Sequence, residues 1–207
     1  MFPYPEFSVP GVEPWDVWQL FNVSNYPYYL LKVKGLRDGV CGFCTIDTKV
    51  NKVVYENESW TAMENAIAPR SDESGQEHQF VIPLKRHVTT IDDMMGYEFG
   101  DLLRLIKTLN QMYNISGGVL VLRSGDPAKN AKSMEHLHVN YHVPTGLKRV
   151  EVTIAKSEDD LAKKLPVLQV FEEMRLLEEG GCTDPFSQLS LEKRELVKGK
   201  LGKKGSG

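Results

Sequence analysis

The stretch Ser133-Met134-Glu135-His136-Leu137-His138-Val139-Asn140-Tyr141-His142-Val143-Pro144 alternates polar and apolar residues with a period of two. That period is the mark of a strand with one buried face. His136, His138, Asn140 and His142 then share one face, and Leu137, Val139, Tyr141 and Val143 point the other way into a core. Three imidazoles and an amide in a row weaken the burial that a sheet face normally supplies. Imidazole is also the side chain best suited to proton transfer, metal ligation or nucleophilic attack near neutral pH. For any one of these histidines, a solvated polar face is the plain alternative.

Working outward, Gly117-Gly118 reads as the break that ends a preceding helix, and Val119-Leu120-Val121-Leu122 as a buried strand. Phe80-Val81-Ile82-Pro83 reads as another, its ladder ended by Pro83. Lys52 to Glu56 is a short strand, and Trp60 begins a further, irregular one. Between the outer strands, Phe99, Leu102, Leu103, Leu105, Ile106, Leu109 and Met112 recur at helical spacing. They predict an amphipathic helix from about Gly96 to Tyr113, with cap candidates in Ile91-Asp92-Asp93. Tyr28 to Val33 and Arg149 to Ala155 are read as strands, and Pro69 to Glu77 as a loop. Leu161 to Glu179 is helical, with Pro166 expected to kink or restart it, and Glu192 to Lys200 is a last helix. Strand runs around one long central helix predict an α+β fold, an antiparallel β-sheet with flanking helices.

The 207 residues suffice for one well-packed domain with extensions. With 41% hydrophobic and 26% charged residues the composition is that of a globular protein. A formal net charge of −3 gives no general footprint for nucleic acid, which is not expected as a partner. Basic residues cluster from Lys193 to Lys204, where no apolar period accompanies them, and the end is read as a solvated tail. No run approaches the ~18 apolar residues of a membrane span, so no membrane partner is expected. Met1-Phe2-Pro3-Tyr4-Pro5 lacks the features of a secretory signal, which points to a cytoplasmic protein. Cys41-Gly42-Phe43-Cys44 then favours reduced thiols and a metal over a disulfide framework, although a redox pair has the same spacing.

The histidine strand resembles the signature of the histidine-triad superfamily, His-φ-His-φ-His-φ-φ with φ apolar and a serine three residues before the first histidine. Ser133 takes the serine position, and His136 and His138 the first two histidines. Phe80-Val81-Ile82-Pro83-Leu84-Lys85-Arg86-His87-Val88 resembles the family's strand ending in Ile-Pro-Lys-x-His. Val121 to Gly125 resembles its strand and glycine turn before the phosphate loop. Cys41 to Cys44 resembles the Cys-x-Phe-Cys of its zinc-containing members.

The resemblance spans about Cys41 to Pro144 and implies a histidine-triad-like catalytic domain over 41–144. Residues 1–40 are then an N-terminal extension, 145–195 a C-terminal strand and helical extension, and 196–207 a flexible tail.

The resemblance implies that His138 attacks the α-phosphorus of a nucleotide or dinucleoside polyphosphate, forming a covalent nucleotidyl-histidine. Ser133 would donate a hydrogen bond to phosphate or leaving group. Asn130, Lys132, His78 and His142 are candidate substrate-binding residues, each with a bland alternative as a solvated polar residue. It further implies that His87 and His136 complete a Cys₂His₂ set with Cys41 and Cys44 around a structural zinc, and that the chain forms a homodimer. Cys182 has no partner in this scheme.

The third triad position departs from the pattern. It holds Asn140, which can donate to a phosphoryl oxygen but cannot act as an acid near neutrality. Members resembling galactose-1-phosphate uridylyltransferase also carry an amide there, so Asn140 tilts the expectation from hydrolysis towards transfer. It equally fits a catalytically weak nucleotide-binding or interaction module. The acidic residue that holds the ribose hydroxyls has no clear counterpart near Pro69 to Asp72. A further reading makes zinc catalytic, with His136, His138 and His142 as its ligands, but it leaves the cysteine pair unexplained.

Overall fold

Among the described residues, five strands form one antiparallel sheet, in which the two long central strands carry the shorter outer ones. The computed structural model describes residues 7–48, 51–65 and 75–201. The strands are β1 (Val53–Glu56), β2 (Thr61–Glu64), β3 (Gln76–Pro83), β4 (Val119–Leu122) and β5 (His138–Pro144), in the order β1-β2-β3-β5-β4. Every pairing is antiparallel. The helices are α1 (Val17–Leu20), α2 (Tyr26–Arg37), α3 (Gly96–Tyr113), α4 (Glu158–Glu179), α5 (Pro185–Gln188) and α6 (Leu191–Val197). The class is α+β, an open antiparallel sheet with helices, as the strand and helix periods predict. Among the described residues no helix is long and apolar enough to cross a membrane.

The chain divides into two compact units. The sheet unit comprises the described residues of Cys41–Asp126 and Met134–Ile154. Its core gathers Trp60, Phe80, Ile82, Leu137, Val139, Tyr141 and Val143 with Leu102, Leu105 and Leu109 of α3. Register makes this possible. Pairing Phe80 with Tyr141, Ile82 with Val139 and Leu120 with Tyr141 puts the large apolar side chains on one face. Helix α3 is tied there by polar contacts as well. Tyr141 Oη donates to Asn110 Oδ1 at 2.6 Å, and Trp60 Nε1 donates to the Glu98 carbonyl at 2.6 Å. Gly118 is required where β4 begins, since a Cβ there would sit 2.4 Å from the Tyr141 ring.

Helix α3 has the bounds its apolar spacing predicts, but its ends differ from the expectation. Its N-cap is Met95, with Glu98 accepting from the Met95 amide at 2.7 Å, while Ile91–Asp93 form a separate 3-10 turn capped by Thr90. Asn114 ends the helix in the left-handed conformation, at φ 53°, before Gly117-Gly118 is reached.

The helical unit comprises the described residues of Met1–Val40, Pro127–Ser133 and Ala155–Gly207. Its core joins Phe7, Phe21, Tyr26, Tyr29 and Val33 to Leu161, Leu168, Phe171 and Met174. Inside it Glu172 accepts from Tyr29 Oη at 2.7 Å and from two nitrogens of Arg175 at 2.6 and 2.8 Å. A buried acid so placed is satisfied on both oxygens, as its loss from water requires.

Two strand expectations are overturned, and a third is changed, since Val119–Leu122 is an exposed edge strand and not a buried one. Tyr28 to Val33 lies inside α2: Asn25 caps it by accepting from the Tyr28 amide at 3.0 Å, and Pro27 stands in its first turn. The aromatic run favours a strand locally, but Tyr26, Tyr29 and Val33 bury one helical stripe against α4 residues. Arg149 to Ala155 forms no strand; it pairs with no neighbour, and Ile154 is exposed. Alternation without a partner edge gives it no ladder to join. Pro166 neither breaks nor restarts α4, which runs on through it. It lies on the exposed side of the helix, where one lost backbone bond is tolerated. The end of the chain forms α6 and a 3-10 turn over Lys198–Lys200. The loop expected at 69–74, with the unplaced ribose-binding acid, and residues 202–207 of the expected tail lie outside the described residues.

Leu105 is fully buried between α3 and the sheet. Leu105→Ala is expected to lower the unfolding free energy by about 2–5 kcal/mol in urea titration, and a change under about 1 kcal/mol would contradict this packing.

Candidate active site and metal centre

The site is built where β3 and β5 run side by side. Pairing places Pro83 opposite His138, Val81 opposite Asn140 and Gln79 opposite His142. His138, Asn140 and His142 therefore share the face opposite the α3 core, as their alternation predicts. The strand begins only at His138, and His136 lies in the bend before it, 1% exposed. Leu137 between them donates its amide to the Val88 carbonyl at 2.7 Å and accepts from the Leu84 amide at 3.1 Å. These two bonds lace the turn after β3 to the entry of β5. Arg86 braces the same turn, giving Nε and Nη2 to the two Glu98 oxygens at 3.0 and 2.9 Å and Nη2 to the Asp93 carbonyl at 2.7 Å. His87 is presented from that braced turn.

Four donors meet there: Cys41, Cys44, His87 and His136, with ligand atoms all within 4.8 Å of one another. The Cys44 and Thr45 amides both fold back onto the Cys41 carbonyl, at 3.1 and 3.3 Å, which turns the two sulfurs to one side. Cys41 Sγ stands 3.3 Å from His136 Nδ1, and Cys44 Sγ stands 3.2 Å from His87 Nδ1. Around one tetrahedral ion such donors would be separated by roughly 3.3–3.8 Å, from metal–sulfur and metal–nitrogen bonds of ~2.3 and ~2.0 Å. The four residues fit a closed metal site.

His136 is oriented for it. Its Nε2 is 2.5 Å from the Leu84 carbonyl, which only accepts, so Nε2 carries the proton and Nδ1 offers its lone pair to the sulfurs. Burial works to raise the Cys41 thiol, but bonds with His136 and the amides of Phe43 and Cys44 outweigh it and hold it down at about 6. Burial and the adjacent Cys41 sulfur push the Cys44 thiol up to about 11. A pair so poised releases one proton readily and holds the second until a cation takes its place.

His138 is 6% exposed, and its Nδ1 donates to the His136 carbonyl at 2.8 Å. That bond fixes the tautomer and leaves the lone pair on Nε2, the state a nucleophilic imidazole needs. Phe43 packs edge-on against both rings, 5.0 Å from His138 and 5.8 Å from His136 between centroids. A cavity of about 220 Å³ opens beside it, lined by Phe43, Ile46, Thr61, Pro83, Leu84 and Lys85, with Cys44 at its edge. Asn140 is half-buried between Val81 and Val121. His142 Nδ1 donates to Gln76 Oε1 at 3.0 Å. Burial, reinforced by the nearby Arg123 guanidinium, holds His142 below the usual imidazole range, so it is neutral at pH 7.

The remaining candidates divide between the core face of the sheet and the helical unit. His78 pairs with Val143 on the core face, its ring 5.8 Å from Phe80 and 5.0 Å from Tyr113. It is on the opposite side of the sheet from His138. Asn130, Lys132 and Ser133 belong to the helical unit. Asn130 Oδ1 accepts from the Lys132 amide at 3.2 Å, the Lys132 carbonyl accepts from Asn22 at 2.8 Å, and the Ser133 hydroxyl bonds Tyr28 Oη at 2.9 Å. Lys132 is 2% exposed, so its side chain is not a solvated loop cation. Sequence reasoning passed over two residues of the sheet unit, Phe43 and Arg123. Phe43 was visible only as the middle of the cysteine motif, and Arg123 only as the charge ending the Val119–Leu122 run.

No protein-family model matches the chain, and no curated protein matches it. Solved structures do. A histidine triad nucleotide-binding protein from Candida albicans is 17% identical, with 62% of this chain and 95% of that one covered and a TM-score of 0.41. A Zn-bound histidine triad family protein from Mycobacterium smegmatis is 15% identical over 62% of this chain and 95% of that one, again at 0.41. A HIT family hydrolase from Legionella pneumophila is 23% identical over 49% and 89%, at 0.37. These three solved structures are all of histidine-triad proteins.

Proposed function

We propose that this chain is a histidine-triad nucleotidyl hydrolase or transferase in which His138 is the nucleophile. The carrying observation is the Nδ1–H bond from His138 to the His136 carbonyl, which leaves the Nε2 lone pair on the sheet face shared with Asn140. In the first step that lone pair attacks the α-phosphorus of a dinucleoside polyphosphate or related nucleotide. The bond to the leaving oxygen breaks, and the leaving group departs with its electron pair. In the second step water or a phosphate oxygen attacks the adduct, the phosphorus–nitrogen pair returns to Nε2, and where water attacks its proton is released to solvent. The His138 imidazolium formed during attack is stabilised by its bond to the His136 carbonyl. Asn140 donates from its amide to a phosphoryl oxygen. Ser133, five residues before His138 in the chain, donates to phosphate or leaving group, with Asn130 and Lys132 in the same loop. The cavity beside Phe43, with aromatic and aliphatic walls, suits a flat nucleobase.

Asn140 also supports a second emphasis. An amide cannot supply a proton to a poor leaving group. The reading therefore favours transfer to a phosphate acceptor, or slow hydrolysis, and at the limit a nucleotide-binding module.

Cys41, Cys44, His87 and His136 would hold zinc, whose part is to cross-link the cysteine turn to the entry of β5. With four protein ligands no position is left for substrate. The exposed apolar side chains of α3, Phe99 and Leu103, and of the edge strand β4, Val119 and Leu120, support a homodimer.

Three outcomes are expected. With diadenosine tetraphosphate, the wild type should turn over and a quenched reaction should yield an acid-labile nucleotidyl-protein, whereas His138→Ala should lose about 10³-fold or more in rate and form no adduct. Undiminished turnover in that variant would sink the nucleophile assignment, and stimulation by orthophosphate would choose transferase over hydrolase. Cobalt(II) titration should give a thiolate charge-transfer band that saturates at one equivalent and is lost in Cys44→Ser; an unchanged band in the variant would rule out this ligand set. Sedimentation should give a dimer that Leu103→Glu converts to monomer, and a monomeric wild type at micromolar concentration would end the dimer proposal.

A further inference from the structure

Arg123 is a cation without a counter-ion inside the sheet unit. It follows Leu122, the last residue of β4, which pairs with Val139. The alternation that puts Val119 opposite His142 and Val121 opposite Asn140, continued one residue past the last pair, carries Arg123 onto the same face. The guanidinium is near enough to His142 to act on its ionisation. Its Nη2 donates to the Thr153 carbonyl at 2.8 Å, and its Nε is buried with no hydrogen-bond partner. Among the described residues no carboxylate forms an ion pair with it. The contrast within the same chain is plain, for Arg86 and Arg175 each meet a carboxylate through two nitrogens.

A half-buried guanidinium with an unsatisfied nitrogen costs stability, since its lost hydration is not replaced. Its neighbours on that face do not offset the cost: Asn140 and neutral His142 carry no negative charge, and Val119 and Val121 are apolar. A planar fork of donors is the group best matched to phosphate oxygens, which it takes two at a time. We propose that Arg123 binds the anionic phosphates of the leaving group, so that the substrate class is a nucleotide whose leaving group is itself a phosphate or polyphosphate. The assignment of a substrate class rests on the nucleotidyl-transfer reading above. The presence of an oligophosphate site at Arg123 does not. In the reaction, Arg123 holds the departing oxygens as their charge grows, and so relieves the want of an acid at Asn140. No proton is needed where a fixed cation stabilises the leaving anion.

The test compares wild type, Arg123→Gln and Arg123→Lys in two measurements. The first is turnover of diadenosine tetraphosphate against adenosine 5′-(4-nitrophenyl phosphate), whose leaving group carries no phosphate. Arg123→Gln should lose about 10- to 100-fold in kcat/KM on the former and less than about 3-fold on the latter, the size of a lost charge-assisted hydrogen bond. Arg123→Lys should recover part of the loss. The second measurement is calorimetric titration with inorganic tripolyphosphate, which wild type and His138→Ala should bind and Arg123→Gln should not. The thermal midpoint of Arg123→Gln should stay level or rise, because an unpaired cation is removed. An equal loss on both substrates, or a fallen midpoint with tripolyphosphate binding intact, would make Arg123 a structural residue and overturn the proposal alone. Tripolyphosphate binding that depends on Arg123 in a wild type without turnover would keep the anion site and overturn the nucleotidyl-transfer reading instead.

Discussion

The pairing of β3 with β5, in the register that sets Pro83 opposite His138, is the constraint on which the sheet unit turns. Shifted by one residue, it would carry Val139, Tyr141 and Val143 out of the core and bury His138, Asn140 and His142 in their place. The same pairing ends where the Leu137 amide and carbonyl bond Val88 and Leu84. It thereby delivers the His87 turn and His136 to one point. Core, imidazole row and metal donors are three consequences of one ladder.

Histidines two residues apart in the chain are put to different ends by that geometry. His136 donates Nε2–H to a carbonyl and turns Nδ1 to the cysteines, whereas His138 donates Nδ1–H to a carbonyl and keeps its lone pair on Nε2. The backbone thus selects opposite tautomers at the two positions. In the proposed mechanism this separates a structural ligand from a nucleophile, and the bound metal would stiffen the entry to β5. The Phe43 ring, against both imidazoles, joins the cysteine turn to the reacting side chain by packing.

Charge on the imidazole face is otherwise sparse. Along β4 and β5, Asn140 contributes a dipole, His142 is held neutral by burial and Arg123, and the alternation of β4 carries the Arg123 guanidinium to that face. On the proposal made for Arg123, such a face is prepared for an anion. Its groups need no reorganisation when negative charge develops, which is the physical basis of electrostatic stabilisation in a site shielded from water.

Much of this was legible in the residues alone. Alternation marked β5 and the core face of the sheet, the 3.6-residue period marked α3 from Gly96 to Tyr113, and the spacing of Cys41, Cys44, His87 and His136 pointed to a four-ligand set once the family likeness was seen. These features are local, or are ordered motifs whose spacing survives in the linear chain. Tertiary structure decided the rest. It wound Tyr28 to Val33 into a helix, because a stripe facing α4 residues outweighs the strand preference of aromatic side chains. It denied Arg149 to Ala155 a strand for want of a partner edge. It set His78 on the core face, assigned Asn130, Lys132 and Ser133 to the helical unit, and left Arg123 with no carboxylate partner among the described residues. Periodicity tells which side of an element a residue takes, but which groups it then meets depends on register and on segments distant in the chain.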